Sequence, residues 1–247
     1  MTRPKSSVPR LRLRGHVALI TGATRGIGLA IARALAAEGC NLILTARDKK
    51  AVAKISREPA FAKTQILAHP CDVRDPHSVD ALFREARKKF KHLDILINNA
   101  GIAHPNLPIE KLSLPTWKDV LDTNLTGTFL VTQAALSIMK RGGTIVNNLS
   151  IAANRVFAGC AAYNASKHGA LGLTNTLREE LRPRGIRVIA LLPGATDTDI
   201  WTTLWPEAPR RKMMSPEMVA EATLQAILLP ANATVETLEV LPSAGTL

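Results

Sequence analysis

The chain holds one tyrosine in 247 residues, Tyr163, and a lysine follows it four positions later in the run AAYNASKHG. On a helix, positions i and i+4 lie one above the other on the same face, so the Lys167 ammonium can approach the Tyr163 ring. A phenol beside a cation suits general acid–base chemistry. A core tyrosine beside a solvated lysine has the same pattern, and the five residues alone leave both readings open. A second chemical signal lies near the start of the chain, where TGATRGIG places Gly22, Gly26 and Gly28 between an apolar run and a helical pattern. Glycines there permit a tight turn and close backbone approach, and the free N–H groups at the helix start attract phosphate. The turn reads as a seat for a nucleotide pyrophosphate.

Both signals need a scaffold that brings residues near position 25 to residues near position 165. Short β-rich runs alternate with helical patterns: HVALIT, a helix through GLAIARALAAEG, NLILTA, a helix through KKAVAKISRE, QILAHP, a helix from about Ser78 to Phe90, and LDILINN. One long helix is expected from roughly Pro115 to Lys140. It is followed by the strand GTIVNNLS, the helix with the YNASK run, RVIALLP, a helix from about Pro216 to Leu229, and TLEVLP. Strand–helix alternation of this kind predicts an α/β fold: a Rossmann-type, doubly wound parallel sheet of about seven strands with helices on both faces. No repeat or linker divides it, so residues 15–247 read as a single domain behind a basic, disordered arm at 1–14. Ser150 ends the strand GTIVNNLS, which points its hydroxyl into the cleft at the carboxyl edge of the sheet. The one long irregular stretch, about Pro193 to Ser215, has the length of a functional or mobile loop.

The set T-G-x-x-x-G-x-G at 21–28, NNAG at Asn98–Gly101, Asn124, Ser150, Y-x-x-x-K at Tyr163 and Lys167, and PG at Pro193 and Gly194 resembles the short-chain dehydrogenase/reductase family, in the expected order and over nearly all of the chain after the arm. Within the family the resemblance is to 3-ketoacyl-carrier-protein reductase-like members. It implies that Tyr163 is the general acid/base, that Ser150 holds the substrate carbonyl, that Lys167 bonds the nicotinamide ribose, and that Asn124 bends the long helix and holds a water leading to Lys167. A phenol working near neutrality must drop by roughly three pKa units, about 4 kcal/mol. An ammonium about 4 Å away at an effective dielectric near 20 supplies energy of that order. The cofactor contacts implied are Gly22, Thr24, Arg25, Gly26, Ile27, Gly28, Asp72, Val73, Asn99, Ala100, Gly101, Tyr163, Lys167, Pro193 and Gly194. NAD-binding members usually end the second strand with an acid. Here Ala46 stands there, followed by Arg47, and with Arg25 this predicts NADP(H) through its 2′-phosphate. Asp48 reads as the N-cap of the next helix. The stretch from about 194 to 215 is then the substrate lid, with Trp201, Leu204, Trp205 and Met213 favouring a hydrophobic carbonyl compound. Arg210, Arg211 and Lys212 offer an alternative, an anionic substrate or carrier.

The resemblance implies a metal-free, NADP-dependent oxidoreductase that reduces a ketone or aldehyde, or oxidises the alcohol, as a homodimer or homotetramer. An acidic carrier is a candidate partner for Lys140 and Arg141. One departure is that such reductases commonly end in a V-D-G-G-type segment, whereas this chain ends ETLEVLPSAGTL. Two alternatives belong to other classes: a silent NADP(H)-binding regulator or scaffold, and a basic nucleic-acid-binding protein suggested by the net charge of +12. Four retained catalytic positions argue against the first, and an aromatic content of 4% without basic–aromatic interleaving argues against the second. No apolar run reaches the roughly 18 residues of a membrane span, and the amino terminus has no apolar secretion segment, so a cytoplasmic protein without membrane attachment is expected. Cys40, Cys71 and Cys160 fit a reducing compartment and no zinc site. The sequons at Asn124, Asn148, Asn164 and Asn232 carry no glycan on this reading.

Overall fold

A computed structural model of the chain describes residues 11–245. The strands are β1 (Val17–Thr21), β2 (Asn41–Ala46), β3 (Ile66–Pro70), β4 (Leu93–Asn98), β5 (Met139–Asn148), β6 (Arg187–Pro193) and β7 (Thr237–Val240). They form one parallel sheet in the order β3-β2-β1-β4-β5-β6-β7. After β3 the chain crosses back and lays β4 on the free side of β1. The direction of winding therefore reverses between β1 and β4, and a crevice opens at their carboxyl ends.

The helices are α1 (Gly26–Ala37), α2 (Lys49–Ile55), α3 (Pro76–Lys89), α4 (Leu114–Leu121), α5 (Gly127–Leu136), α6 (Ala161–Leu181), α7 (Trp201–Leu204) and α8 (Pro216–Ile227). Strand β1 shows why both sheet faces are covered. Ala18 and Ile20 pack into the layer shared with α1 and α8, while Val17 and Leu19 point the other way, towards α3, α5 and α6. A strand apolar at every position is stable only when buried on both faces. Helix starts follow local chemistry. The side chains of Asp48, Asp75, Ser113 and Ser215 each accept backbone N–H bonds at the head of a helix.

The expected long helix from Pro115 to Lys140 is three pieces. α4 ends at Leu121, a π-helical turn spans Asp122–Thr126, and α5 stops at Leu136. Ser137 then turns its hydroxyl back onto the Ala134 carbonyl (2.7 Å), and the chain enters β5 at Met139. Lys140 and Arg141 therefore lie in the irregular entry of β5, where the pairing with β4 shifts register and Gly142 takes φ +76°. The basic arm falls on residues 1–10, outside the described residues, and on 11–14, which pack on the body. Leu13 is buried in the core, its N–H bonds the Glu38 carbonyl, and Arg12 pairs with the Glu38 carboxylate at 2.8 Å.

The stretch after β6 is a closed loop. A bridge between Thr196 and Met214 ties its neck, with Asp197 N–H bonded to Met214 O (2.8 Å) and Met214 N–H to Ala195 O (3.0 Å). Between these ends lie α7 and a short 3₁₀ turn at Arg210–Lys212.

Candidate active site

A cleft of about 1100 Å³ opens at the carboxyl ends of the strands. It is lined by the glycine turn with Thr24, Arg25 and Ile27, by Arg47 after β2, by Asp72 and Val73, by Asn99, Ala100 and Gly101 after β4, and by Ser150, Tyr163, Lys167, Pro193 and Gly194. From the lid come Trp201, Leu204 and Trp205. Gly28, Asn124 and Met213, and with them Asn98 and the basic run Arg210, Arg211 and Lys212, stand outside this lining.

Gly28 has a packing role: a Cβ there would come within 2.3 Å of Asn99 Nδ2 and 2.5 Å of the Gly22 carbonyl. Gly22 itself takes φ +63°. The turn is thus closed around the Asn99 amide, which donates to the carbonyls of Thr21 (2.9 Å) and Gly22 (3.1 Å). The N-terminus of α1 has no side-chain cap and no acid in its first turn. Its free N–H groups and the positive end of its dipole face the cleft beside Arg25 and Arg47, an arrangement that fits a pyrophosphate. Asp48, one position beyond Arg47, caps α2, its Oδ1 accepting from the Lys50 and Ala51 N–H groups (2.8 and 3.1 Å). Asp72 is held by Arg74 at 2.7 Å, which keeps its carboxyl below the usual range, and Arg74 also reaches Asp119 at 2.6 Å. Arg25 is paired with Asp199 of the lid at 3.0 Å.

Tyr163 and Lys167 sit at the head of α6. Lys167 Nζ lies 5.5 Å from the Tyr163 ring centroid and donates to the Asn148 carbonyl at 3.1 Å. Asn148 donates in turn to Asn99 Oδ1 (2.8 Å), so one chain of hydrogen bonds runs from the glycine turn to the ammonium. Asn148 is a site residue that the sequence reading missed; its only mark is the doubled asparagine closing β5. Below this chain Asn98, Asn147, Thr132 and Thr174 bond one another in the core, locking β4 and β5 to α5 and α6.

Asn124 acts as a brace. Its Oδ1 accepts from Ile102 N–H (2.8 Å), and its Nδ2 donates to the Ile102 carbonyl (2.9 Å) and to Ser166 Oγ (3.0 Å), beside Lys167. With that side chain held inwards, the π-turn accommodates its backbone. Gly101 brings bare backbone close to both: a Cβ there would stand a tight 3.3 Å from Asn124 Oδ1 and in ordinary contact, 3.6 Å, with Lys167 Nζ.

Ser150 is the only non-glycine residue with positive φ among the described residues, at φ 147° and ψ 161°. That region costs a side-chain-bearing residue about 1–3 kcal/mol. The hydroxyl accepts from Ala152 N–H at 3.1 Å and lies close enough to the Tyr163 phenol to favour its ionised form.

The electrostatics differ from the expectation of a phenol lowered by its lysine. Burial pushes the Tyr163 phenol up to about 12, with Ser150 opposing in part. Burial also pulls the Lys167 ammonium, only 6% exposed, down to about 8. Desolvation disfavours both charged forms, and at 5.5 Å from the ring the cation does not reverse it. Before cofactor binds, the tyrosine is a protonated acid.

The lid is also held from within. Arg210 bonds Asp197 Oδ1 (2.6 Å) and the Thr198 carbonyl (2.7 Å), so its charge is partly balanced within the loop. Trp201 donates its indole N–H to Thr196 O (2.9 Å) and packs against Trp205 at a centroid distance of 6.4 Å. Met213 lies beyond the 3₁₀ turn, where the closed neck of the loop keeps it away from the cleft. Among the described residues no cluster of three metal-binding side chains occurs, and no helix is long and apolar enough to cross a membrane. All three cysteines are free and buried.

The family model for short chain dehydrogenases matches residues 16–209. The chain belongs to that family. It is a nicotinamide-dependent oxidoreductase built on a family fold. Over 226 residues it is 38% identical to a 3-oxoacyl-(acyl-carrier-protein) reductase of Aquifex aeolicus, covering 87% of this chain and 90% of that one. The alcohol dehydrogenase of Thermococcus sibiricus, solved with 5-hydroxy-NADP, superposes with a TM-score of 0.85 at 32% identity, over 92% of this chain and 97% of the other. The 3-ketoacyl-(acyl-carrier-protein) reductase of Brucella melitensis, solved with NADH, gives 0.84 at 31% identity, over 94% and 98%. Two family members of similar fold thus carry different nicotinamide cofactors, and the choice rests on local residues.

Two substitutions test the site's stored instability. Ser150→Gly relieves the backbone strain and should stabilise the protein by about 1 kcal/mol in thermal melts while lowering turnover. Lys167→Met removes a cation whose desolvation costs on the order of 3 kcal/mol, less about 1 kcal/mol for the lost bond to Asn148. The lysine's folded pKa lies below its unfolded value of 10.5. Its penalty is therefore full below about 8 and fades as pH rises to 10.5. The variant should be about 2 kcal/mol more stable at pH 7, and chemical denaturation should show the gain vanishing above pH 10.

Proposed function

We propose that this chain is an NADPH-preferring reductase of hydrophobic ketones or aldehydes, with Tyr163 as the proton donor. The observation that carries the reading is the half-buried phenol of Tyr163 lining an open cleft together with Ser150 and Lys167, whose ammonium lies 5.5 Å from its ring. Bound NADPH supplies a hydride to the carbonyl carbon. Ser150 holds the carbonyl oxygen, and Tyr163 donates its proton to that oxygen as the alcohol forms. Lys167 orients the nicotinamide ribose, and Asn124 keeps Lys167 in place through Ser166. Cofactor choice is supported by Ala46 in the position where an acid would select NADH, by the commitment of Asp48 to capping α2, and by the cation of Arg47. Trp201, Leu204 and Trp205 favour an apolar substrate, free or carried on a partner such as the acidic carrier proteins served by the Aquifex relative. Part of the same proposal is a cytoplasmic homodimer or homotetramer, supported by the apolar residues Phe129 of α5 and Leu114 of α4, 45% and 61% exposed on the single chain.

Tyr163→Phe should cut NADPH-dependent carbonyl reduction by about 100-fold or more, with NADPH affinity within about two-fold of the parent. Retained turnover refutes the proton-donor role. Arg47→Asp replaces attraction for the 2′-phosphate by repulsion. It should shift the ratio of kcat/KM for NADPH over NADH towards NADH by about ten-fold or more, one charge-assisted contact being worth about 1.5–3 kcal/mol. Sedimentation equilibrium should return two or four times the mass of one chain, and a monomer counts against the assembly.

A further inference from the structure

The β4–α4 loop enters the cleft at Asn106, which touches two other segments. Its backbone N–H donates to the Leu204 carbonyl of the lid at 3.3 Å. Its side-chain Nδ2 donates to the Ala158 carbonyl at 3.2 Å, in the loop that leads from Ser150 to Tyr163. The next residue repeats the second link, Leu107 N–H bonding the Gly159 carbonyl at 3.0 Å. The fit is close. Gly159 takes φ +77°, and a Cβ there would stand 1.9 Å from Asn106 Oδ1, so a side chain at 159 would be strained and would displace the amide from its place. A second cavity, of about 520 Å³, lies against the same lid helix and is walled by Pro105, Pro206 and Glu207. Asn106 and Leu204 line both cavities. Their hydrogen bond is the bar between the cleft that holds Ser150 and Tyr163 and an outer opening.

We propose that Asn106 is a positioning residue that sets substrate specificity: it clasps the lid to the 158–160 loop and so fixes the apolar wall against which the part of the substrate beyond its carbonyl is held. The reading rests on the carbonyl reduction proposed above. The side chain is not aimed at the reacting atoms, and no proton passes through it. It acts through Trp201 and Leu204 on one side and Ala158 on the other. A small ketone, which reaches only Ser150 and Tyr163, does not use the clasp. A ketone with a bulky apolar substituent does, because that group needs both walls at once. The lid also reaches the glycine turn, through Asp199 on Arg25, and because both variants leave that pair and Arg47 unaltered, cofactor affinity should change little.

The test uses Asn106→Ala and Asn106→Asp, which keep the backbone bond to Leu204 but lose the side-chain bond that anchors this segment, and through it the lid, to the 158–160 loop. The full chain is digested with trypsin and cleavage after the exposed Arg211 and Lys212 of the lid is followed by mass spectrometry. In parallel, KM and kcat are measured with NADPH for a small and a bulky aliphatic ketone. The expected result is lid cleavage at least five-fold faster in both variants. KM for the bulky ketone should rise at least five-fold, with kcat for the small ketone and the NADPH dissociation constant within two-fold of the parent. Lid cleavage at the parent rate, or equal changes in KM for the two ketones, overturns the proposal. If the parent reduces neither ketone, the carbonyl-reductase reading fails, and the cleavage rates still decide whether Asn106 holds the lid.

Discussion

An ammonium held out of water governs this molecule. Lys167 is 6% exposed, without a carboxylate against it, and its nearest polar support is one backbone carbonyl. Such a group is costly to bury, and the cost falls on the folded state. Its position requires the surrounding structure to be rigid. Asn148 must present its carbonyl, which requires β5 to end where it does. Ser166 must be held by Asn124, which requires the break in the helix between α4 and α5. Gly101 must bring bare backbone between Asn124 and the lysine.

The same dehydration gives the tyrosine its chemical state. A phenol in water at neutral pH is already protonated, but it is a poor proton donor because it has no fixed acceptor. In this cleft the phenol is pushed up to about 12 beside a strained serine, which makes it a weaker acid than free tyrosine, so the lowering that proton transfer near neutrality needs has to come from bound cofactor and substrate. The destabilising features of the fold, the buried cation and the left-handed serine, occur together at the site. Elsewhere the sheet is covered on both faces by apolar side chains, and the hydrogen-bonded asparagines in its core are shared between strands and helices. That rigid body carries the strain.

The sequence shows clearly those features that depend on local chemistry. Strand–helix alternation, the glycine turn, the i and i+4 placement of Tyr163 and Lys167, and the capping role of Asp48 all follow from periodicity and turn preference. Features created by contacts across the fold are hidden. Helical periodicity within 115–140 does not show the π-turn; only the resemblance marks a bend at Asn124, and the partner that holds that side chain, Ile102, lies 22 residues away. The φ of Ser150 comes from the junction of β5 with the loop above it. Asn106 sits in a segment of ordinary loop composition, and its contacts lie 52 and 98 positions downstream. Arg210 looks like an unbalanced cation until Asp197 is found beside it. The direction of the Tyr163 shift in the cofactor-free chain is hidden for a related reason: spacing reports that a cation is near, whereas the loss of water around both groups is a property of the assembled cleft.

Because Tyr163 is the only tyrosine, the near-ultraviolet phenolate absorbance of the cofactor-free protein reports on this one residue. A pH titration, with circular dichroism followed in parallel to mark unfolding, tests directly whether burial controls the site. The account predicts no phenolate signal through pH 10 and a midpoint near 12, or a signal that appears only with unfolding. A midpoint below 10 in the folded protein would mean that the Lys167 charge outweighs desolvation, and would contradict the account.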